Sequence, residues 1–424
     1  MLQLVFGRSG YGKTEYIRNR IADMIDRGET QVLLITPEQY SFISEYSLLE
    51  QLGEARAHAV RCLSFSRLCD ECDRLYGADG RKLLTKGGKA ILMKTAIDQV
   101  RPDLELFEKK GSSAAFVQSM TGIYDEMKSC NLSGAAVYAA ADDLDTDILR
   151  CKMRDFSRIM TAYEALLGDR FADPANRLTR LYDQIKDQNY FAGQTVFLDG
   201  FNGFVAQEYK ILERIIAEAK AVYIALDSDS FGTGDGYDLF AYVNETAGIL
   251  QRIADKAGVP TNALQLGENY RTDYADLRRV EQYIFADQAP ETEISSEHIR
   301  LYAASTVTDA CNDLALQIKG LLRCGYRAGE IAVTMRDREK YAPVLASAFE
   351  KYGVPYYTDE RQPVTAQPIL VFPMYLMRSV IYGWRSDDLF SLIKTGLTDV
   401  SDSPDLHRTE NYVYTWGING AAWK

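Results

Sequence analysis

The sequence predicts an α/β protein built on a parallel sheet, interrupted by a block of helices and followed by a second α/β unit. Three observations carry that expectation. Short apolar runs alternate with helix-period segments over the first 75 residues and again from residue 194. Between them, over 81–189, strand-like runs vanish and helical stretches follow one another. After an acidic stretch at 287–298 that contains Pro290, the alternation starts anew. Strands separated by helices imply parallel pairing with both sheet faces covered.

The elements follow in order. Residues 2–6 (Leu-Gln-Leu-Val-Phe) suit a buried strand, and 14–27 carries Tyr16, Ile17, Ile21, Met24 and Ile25 at helical spacing. Residues 31–36 read as a second strand, after which Pro37 and Glu38 are expected to open a helix running to about Gln51. Residues 59–63 read as a third strand, with Ser64 as the N-cap of a helix over 65–76. The helical block reads as 86–100, 112–129, 144–167 and 175–188. Strands at 194–199, 221–227 and 264–266 then alternate with helices at 205–219 and 238–257. The second unit is expected to hold strands at 299–303 and 331–335, helices at 307–324 and 338–351, and helical structure from 366 onward.

A chain of 424 residues exceeds one compact core, so two to four domains are expected. The net charge of −12, from 48 basic and 60 acidic residues, argues against a uniformly basic coat for indiscriminate DNA binding. It leaves room for a local basic groove, because phosphate contacts depend on where Lys and Arg sit. Seven scattered cysteines do not suggest a disulfide framework. Cys69 and Cys72 form a lone CxxC inside a helical segment and read better as reduced buried thiols than as metal ligands. No stretch of 18 uncharged apolar residues exists, and the N-terminus leads directly into a strand, so no membrane span or signal peptide is expected and a cytoplasmic location follows.

The chemistry concentrates at Gly7-Arg8-Ser9-Gly10-Tyr11-Gly12-Lys13-Thr14, which fits G-x-x-x-x-G-K-[ST] between a strand and a helix. Glycines let backbone N–H groups turn toward phosphate oxygens, and the helix N-terminus adds partial positive charge. ATP would sit on this P-loop, with Lys13 reaching the β- and γ-phosphates and the Thr14 hydroxyl on Mg²⁺. A second Mg²⁺ anchor is an apolar strand ending in Asp, and Asp199 fits. The following residue, where an active motor carries the Glu that positions water, is Gly200. No catalytic base is therefore assigned.

Further segments fall in the order seen in superfamily 1 DNA helicases. Residues 36–42 (Thr-Pro-Glu-Gln-Tyr-Ser-Phe) and 63–68 (Leu-Ser-Phe-Ser-Arg-Leu) stand where such helicases touch single-stranded DNA, which points to Pro37, Gln39, Phe42, Ser64, Phe65 and Arg67. Hydroxyls bind phosphate, aromatic faces stack on bases and arginine supplies charge. Taken alone, each segment reads better as a helix cap beside a core aromatic. Asp227 ends the next strand, where these helicases couple nucleotide to DNA. Residues 266–272 (Leu-Gly-Glu-Asn-Tyr-Arg-Thr) resemble an element whose arginine, here Arg271, approaches the γ-phosphate; Glu268 replaces its usual Gln.

Together with LDGFNGF at 198–204, MRDREKYAPVL at 335–345, YGVPYY at 352–357 and NYVYTWGI at 411–418, these segments resemble the AddB (RexB) family, the second subunit of the bacterial AddAB helicase–nuclease. The resemblance runs over essentially the whole chain. It implies a P-loop NTPase of superfamily 1 helicase type, with domain 1A at 1–80 plus 190–288, an all-helical insertion 1B at 81–189, the start of a motor-like domain 2A at 299–365, and a helical start of 2B at 366–424. It implies an ATP- and DNA-binding scaffold for double-strand-break repair, partnered by an AddA-type subunit and engaging single- and double-stranded DNA. In that family the helicase-like half is no longer a working motor. The family's nuclease domain and iron–sulfur ligands are not found in this sequence, which reads as an N-terminal portion. The residues alone leave open an active superfamily 1 translocase with Glu208 or another carboxylate as base, a P-loop phosphotransferase, or an interaction module with a vestigial site.

Overall fold

The computed structural model describes residues 1–78, 80–110, 113–229, 239–286, 291, 295–359, 364–400 and 404–423. In chain order, β1 (Leu2–Gly7), α1 (Lys13–Asp26), β2 (Val32–Ile35), α2 (Ser41–Leu52), the single turn α3 (Glu54–Ala57), β3 (Val60–Leu63) and α4 (Phe65–Tyr76) alternate. Then come β4 (Lys82–Leu83), α5 (Lys86–Val100), α6 (Ala114–Ser129), α7 (Gly134–Ala141), α8 (Asp147–Leu167), β5 (Phe171–Ala172) and α9 (Arg177–Ile185). Alternation resumes with β6 (Thr195–Leu198), α10 (Ala206–Glu218), β7 (Ala221–Asp227), α11 (Ala241–Lys256), β8 (Thr261–Gln265) and α12 (Ala275–Tyr283). The chain continues through α13 (Val307–Arg323), α14 (Arg338–Tyr352), α15 (Pro368–Ile381), α16 (Ser386–Ile393) and α17 (Pro404–Thr415). It divides into two compact units, Met1–Arg300 and Leu301–Lys424.

The first unit is a mixed α/β fold on a six-stranded parallel sheet of order β3-β2-β6-β7-β1-β8. Side chains alternate across it. Leu4, Phe6, Leu33, Ile35, Leu198 and Ile224 pack one face against α4, α9, α10 and α11. Val32, Leu34, Phe197, Tyr223 and Ala225 pack the other against α1 and α2. The in-register pairs Gly7 with Asp227 and Ile35 with Leu198 bring the carboxyl ends of four strands to one edge. In open parallel sheets that edge is where ligands bind.

The helices between β4 and β5 close around a separate core that includes Met93, Tyr124, Phe156, Met160 and Tyr163. Four serine or threonine caps set their starts: Thr85, Ser113, Ser133 and Thr146 each accept from the backbone N–H three residues on. Helix α7 is absent from the sequence-based expectations because an alanine run has no amphipathic stripe to betray it. Helix α9 places Leu181 and Ile185 in the sheet's own core.

Two expectations are corrected. Helix α2 starts at Ser41 rather than Pro37, since residues 37–40 close a turn with Tyr40 N–H on Pro37 O at 2.9 Å. Residues 299–303 and 331–335 form no strand among the described residues. Ile331, Val333 and Met335 do alternate, and they pack against the Cys311, Ala315, Ile318, Leu345 and Phe349 core between α13 and α14. The alternation is real, but a strand also needs a backbone partner, and none is paired there among the described residues. A smaller core of Phe390, Leu406 and Val413 joins α16 and α17. Among the described residues, no helix is long and apolar enough to cross a membrane.

Candidate functional site

The Gly7–Thr14 loop hangs on two glycines with left-handed backbone. Gly10 has φ +91°, and a Cβ there would lie 2.8 Å from Arg271 Cβ. Gly12 has φ +79° and forms the N-cap of α1. Only glycine adopts such angles at little cost while letting another segment approach this closely. That segment follows β8: Leu266 N–H donates to Phe6 O at 2.8 Å and Tyr270 N–H to Gly10 O at 2.9 Å. β8 lies beside β1 in the sheet, so Arg271 reaches the loop from the far end of the first unit in register-fixed geometry.

The loop borders a cavity of about 430 Å³ lined by Ser9, Gly10, Gly12, Lys13, Thr14, Arg271, Asp199 and Gly200 among others. These are the sequence-predicted residues that the fold brings together. Gly7 lies beneath, at the end of β1. Arg8 and Tyr11 do not line the cavity and instead brace the loop from outside. Arg8 bonds Asp229 Oδ2 at 2.8 Å and Glu281 O at 3.0 Å, and the buried Tyr11 donates to Glu281 Oε2 at 3.3 Å. Their side chains thus position the loop rather than face the cavity.

Lys13 Nζ donates to Gly7 O at 2.7 Å and Arg8 O at 2.9 Å and pairs with Asp227 Oδ1 at 2.5 Å. Asp199 sits at the mouth of β6. Burial pushes its carboxyl above the ordinary aspartate range, against the lowering pull of the Thr14 hydroxyl and of Arg18. Thr14 and Asp199 thus face each other with one hydroxyl and one carboxylate, a hard-oxygen pair suited to Mg²⁺. Residues missed by sequence reasoning are Arg18, Asn202 and Tyr270, which also line the cavity. The spacing of Thr14 and Arg18, four apart on one helix face, is the signal that could have found Arg18.

Gly200 has φ +83°, and a Cβ there would lie 3.3 Å from Pro37 Cδ. The position after Asp199 is therefore strained for any residue but glycine. Glu208, the other carboxylate weighed as a base, does not line this cavity. Its Oε2 accepts from Val205 N–H at 2.9 Å and caps α10. Gly200→Glu is expected to leave ATP turnover unchanged and to lower the melting temperature by about 2–6 °C, because the left-handed backbone penalises any side chain. Differential scanning fluorimetry beside a phosphate-release assay checks both.

The residues expected at DNA lie at the ends of β2 and β3, on the same carboxyl edge of the sheet as the loop but separated from it by β6 and β7. They divide by exposure. Gln39 is exposed, Phe42 is 76% exposed, and Pro37 and Arg67 are half-buried. Ser64 and Phe65 are buried. The Ser64 hydroxyl accepts from Arg67 N–H at 3.2 Å, and Phe65 packs edge-on against Phe201 at 5.8 Å. Cap and core aromatic is what these two side chains are, so neither offers a free hydroxyl or stacking face. Arg67 pairs with Glu45 at 3.1 Å. Cys69 and Cys72 are buried, which pushes their thiols up to about 11 and about 12.

Fold and site together define a parallel α/β protein with a glycine loop, a lysine and two strand-end aspartates converging on one cavity. The chain belongs to the AddB family: the sequence model described as "ADDB, N-terminal" matches residues 4–281. It is similar over its whole length to proteins named as the B-type subunit of an ATP-dependent helicase/deoxyribonuclease. Identity is 27% to that of Clostridium botulinum strain Langeland, 29% to that of Clostridioides difficile strain 630 and 26% to that of Thermoanaerobacter sp. strain X514. The chain spans 37% of the length of each of these relatives.

Proposed function

We propose that this chain is the nucleotide- and DNA-binding portion of the AddB-type subunit of a helicase–nuclease, of superfamily 1 helicase type, that holds ATP and hydrolyses it poorly. The observation that carries this reading is an intact Lys13–Thr14–Asp199 constellation beside Gly200, whose left-handed backbone and close approach to Pro37 strain any side chain placed there. Lys13, Arg18 and Arg271 offer cations to a triphosphate, and Thr14 and Asp199 would hold Mg²⁺, which supplies charge neutralisation of the phosphates when bound. The position after Asp199, where a glutamate would orient an attacking water, holds glycine, and loss of that residue removes much of the hydrolysis rate. The chain then works as a scaffold within double-strand-break repair, alongside an AddA-type partner, since the relatives are named as one subunit of a larger enzyme. The division into 1A, 1B, 2A and 2B domains belongs to the same proposal. The test is ATP turnover with saturating single-stranded DNA. Turnover at background level is expected; robust turnover lost on Lys13→Ala would overturn the inactive-motor reading.

Single-stranded DNA would cross the ends of β2 and β3, next to the nucleotide. Gln39, Phe42 and Arg67 offer the reachable amide, ring and guanidinium, while Ser64 and Phe65 fix the α4 end that presents Arg67. Phe42→Ala is expected to weaken binding of a labelled oligonucleotide about tenfold, the worth of one lost base–aromatic stack. Arg67→Ala should reduce the salt dependence by about one phosphate contact. Fluorescence anisotropy across a salt series reads both, and unchanged affinity in each variant would remove this surface from the DNA path.

A further inference from the structure

An ammonium group has three protons to donate. Those of Lys13 have three acceptors: Gly7 O, Arg8 O and the Asp227 carboxylate. The first two are carbonyls of the loop itself. They are held in place by β1 and by the Tyr11 N–H on Arg8 O at 3.1 Å. Asp227 is different, a side chain 41% exposed on the cavity wall. It is the one of these partners that an incoming phosphate can replace without unmaking the turn.

The sheet order fixes which phosphate meets it. β7 lies between β1 and β6, and Asp227 is the register partner of Gly7. A polyphosphate seated over the loop and reaching toward Thr14 and Asp199 would pass the end of β7. Its inner phosphate would meet the loop N–H groups, and its outer phosphate would approach the place where Asp227 holds Lys13.

We propose that Asp227 is a built-in anion that occupies the outer-phosphate place on Lys13 and makes this site prefer ADP to ATP; the inference rests on the reading of the cavity as a nucleotide site. A diphosphate engages Lys13 through its β-phosphate alone and can leave the Asp227 contact standing. A triphosphate must break the pair and then sit beside a carboxylate that has lost its counter-ion. Arg18 and Arg271 line the same cavity and have no ion pair among the described residues, so they offset part of this cost and ATP binding is weakened rather than abolished.

The test is isothermal titration of the protein with MgADP and MgATP, for the parent chain and for Asp227→Asn, Asp227→Ala and Asp227→Glu. The parent is expected to bind ADP more tightly. Asp227→Asn keeps an acceptor for Lys13 and removes the charge. It should tighten ATP about tenfold and ADP by no more than about twofold, the size expected for one nearby charge at a partly exposed site. Asp227→Ala should shift the ratio in the same direction, and Asp227→Glu should keep the parent's preference. Equal shifts for both nucleotides, or an unchanged ratio while both bind, would overturn the role of Asp227 and leave the nucleotide site standing. Absence of binding of either nucleotide to the parent and to every variant would overturn the site as well.

Discussion

Lys13→Ala is expected to weaken nucleotide binding at least about a hundredfold, or about 3 kcal/mol. The variant removes the charge-assisted contact of the Lys13 ammonium to phosphate and leaves Asp227 without its cation in the free chain, so the site is more negative before any phosphate arrives. The fold should tolerate the change, because the loop keeps its brace from Arg8 on Asp229 and Glu281 and from Tyr270 on Gly10. A calorimetric titration with MgATP beside a melting curve separates the outcomes. Loss of affinity with an unchanged melting temperature supports the assignment. Retained affinity would mean that Arg18 and Arg271 carry the phosphates without the lysine.

Asp173→Ala should destabilise the helical core of the first unit by about 3–5 kcal/mol, the cost of breaking a buried ion pair by removing one partner. Asp173 is 3% exposed and accepts from Lys89 Nζ at 2.8 Å, Tyr163 Oη at 2.6 Å and Ala175 N–H at 2.8 Å. Lys89 is itself buried, over the Tyr124 ring, and of its two carboxylates keeps Asp125 once Asp173 is gone. Amide hydrogen exchange over α5, α6 and α8 is the measurement, with loss of protection expected there first. Tryptophan fluorescence would miss the event, since Trp384, Trp416 and Trp423 all lie in the second unit. Asp173→Asn with Lys89→Met removes both charges and should recover much of the loss. Equal damage in that double variant would place the cost in the hydrogen bonds of the Ala175 turn rather than in the buried charge.

Much of the fold was legible because its signals are local. Five of the six sheet strands fall within a residue or two of their apolar runs, and Ser64 caps α4 as its position suggests. Helix α5 spans Lys86–Val100, the range its spacing implies. Legibility failed where a signal was missing or had two meanings. Helix α7 has no polar face to alternate with. Residues 331–335 alternate because they pack on α13 and α14, and side-chain alternation does not disclose whether a neighbouring backbone is present to pair with. Ser64 and Phe65 showed the same ambiguity: a hydroxyl and a ring at a strand end suit either a nucleic acid or a helix start, and burial alone distinguishes them.

The contiguous residues Gly7–Thr14 and 194–199 determined by themselves that a glycine loop joins a strand to a helix and that a carboxylate follows β6, because their requirements are backbone angles and nearest-neighbour chemistry. Only the tertiary structure decided what completes the site. The β6-β7-β1-β8 order carries Asp227 to Lys13 and Arg271 to Gly10. The turn at Pro37 packs on Gly200 and leaves little room for a side chain after Asp199. These partners lie far apart in sequence, and their meeting depends on strand order and register, which no local pattern of residues records.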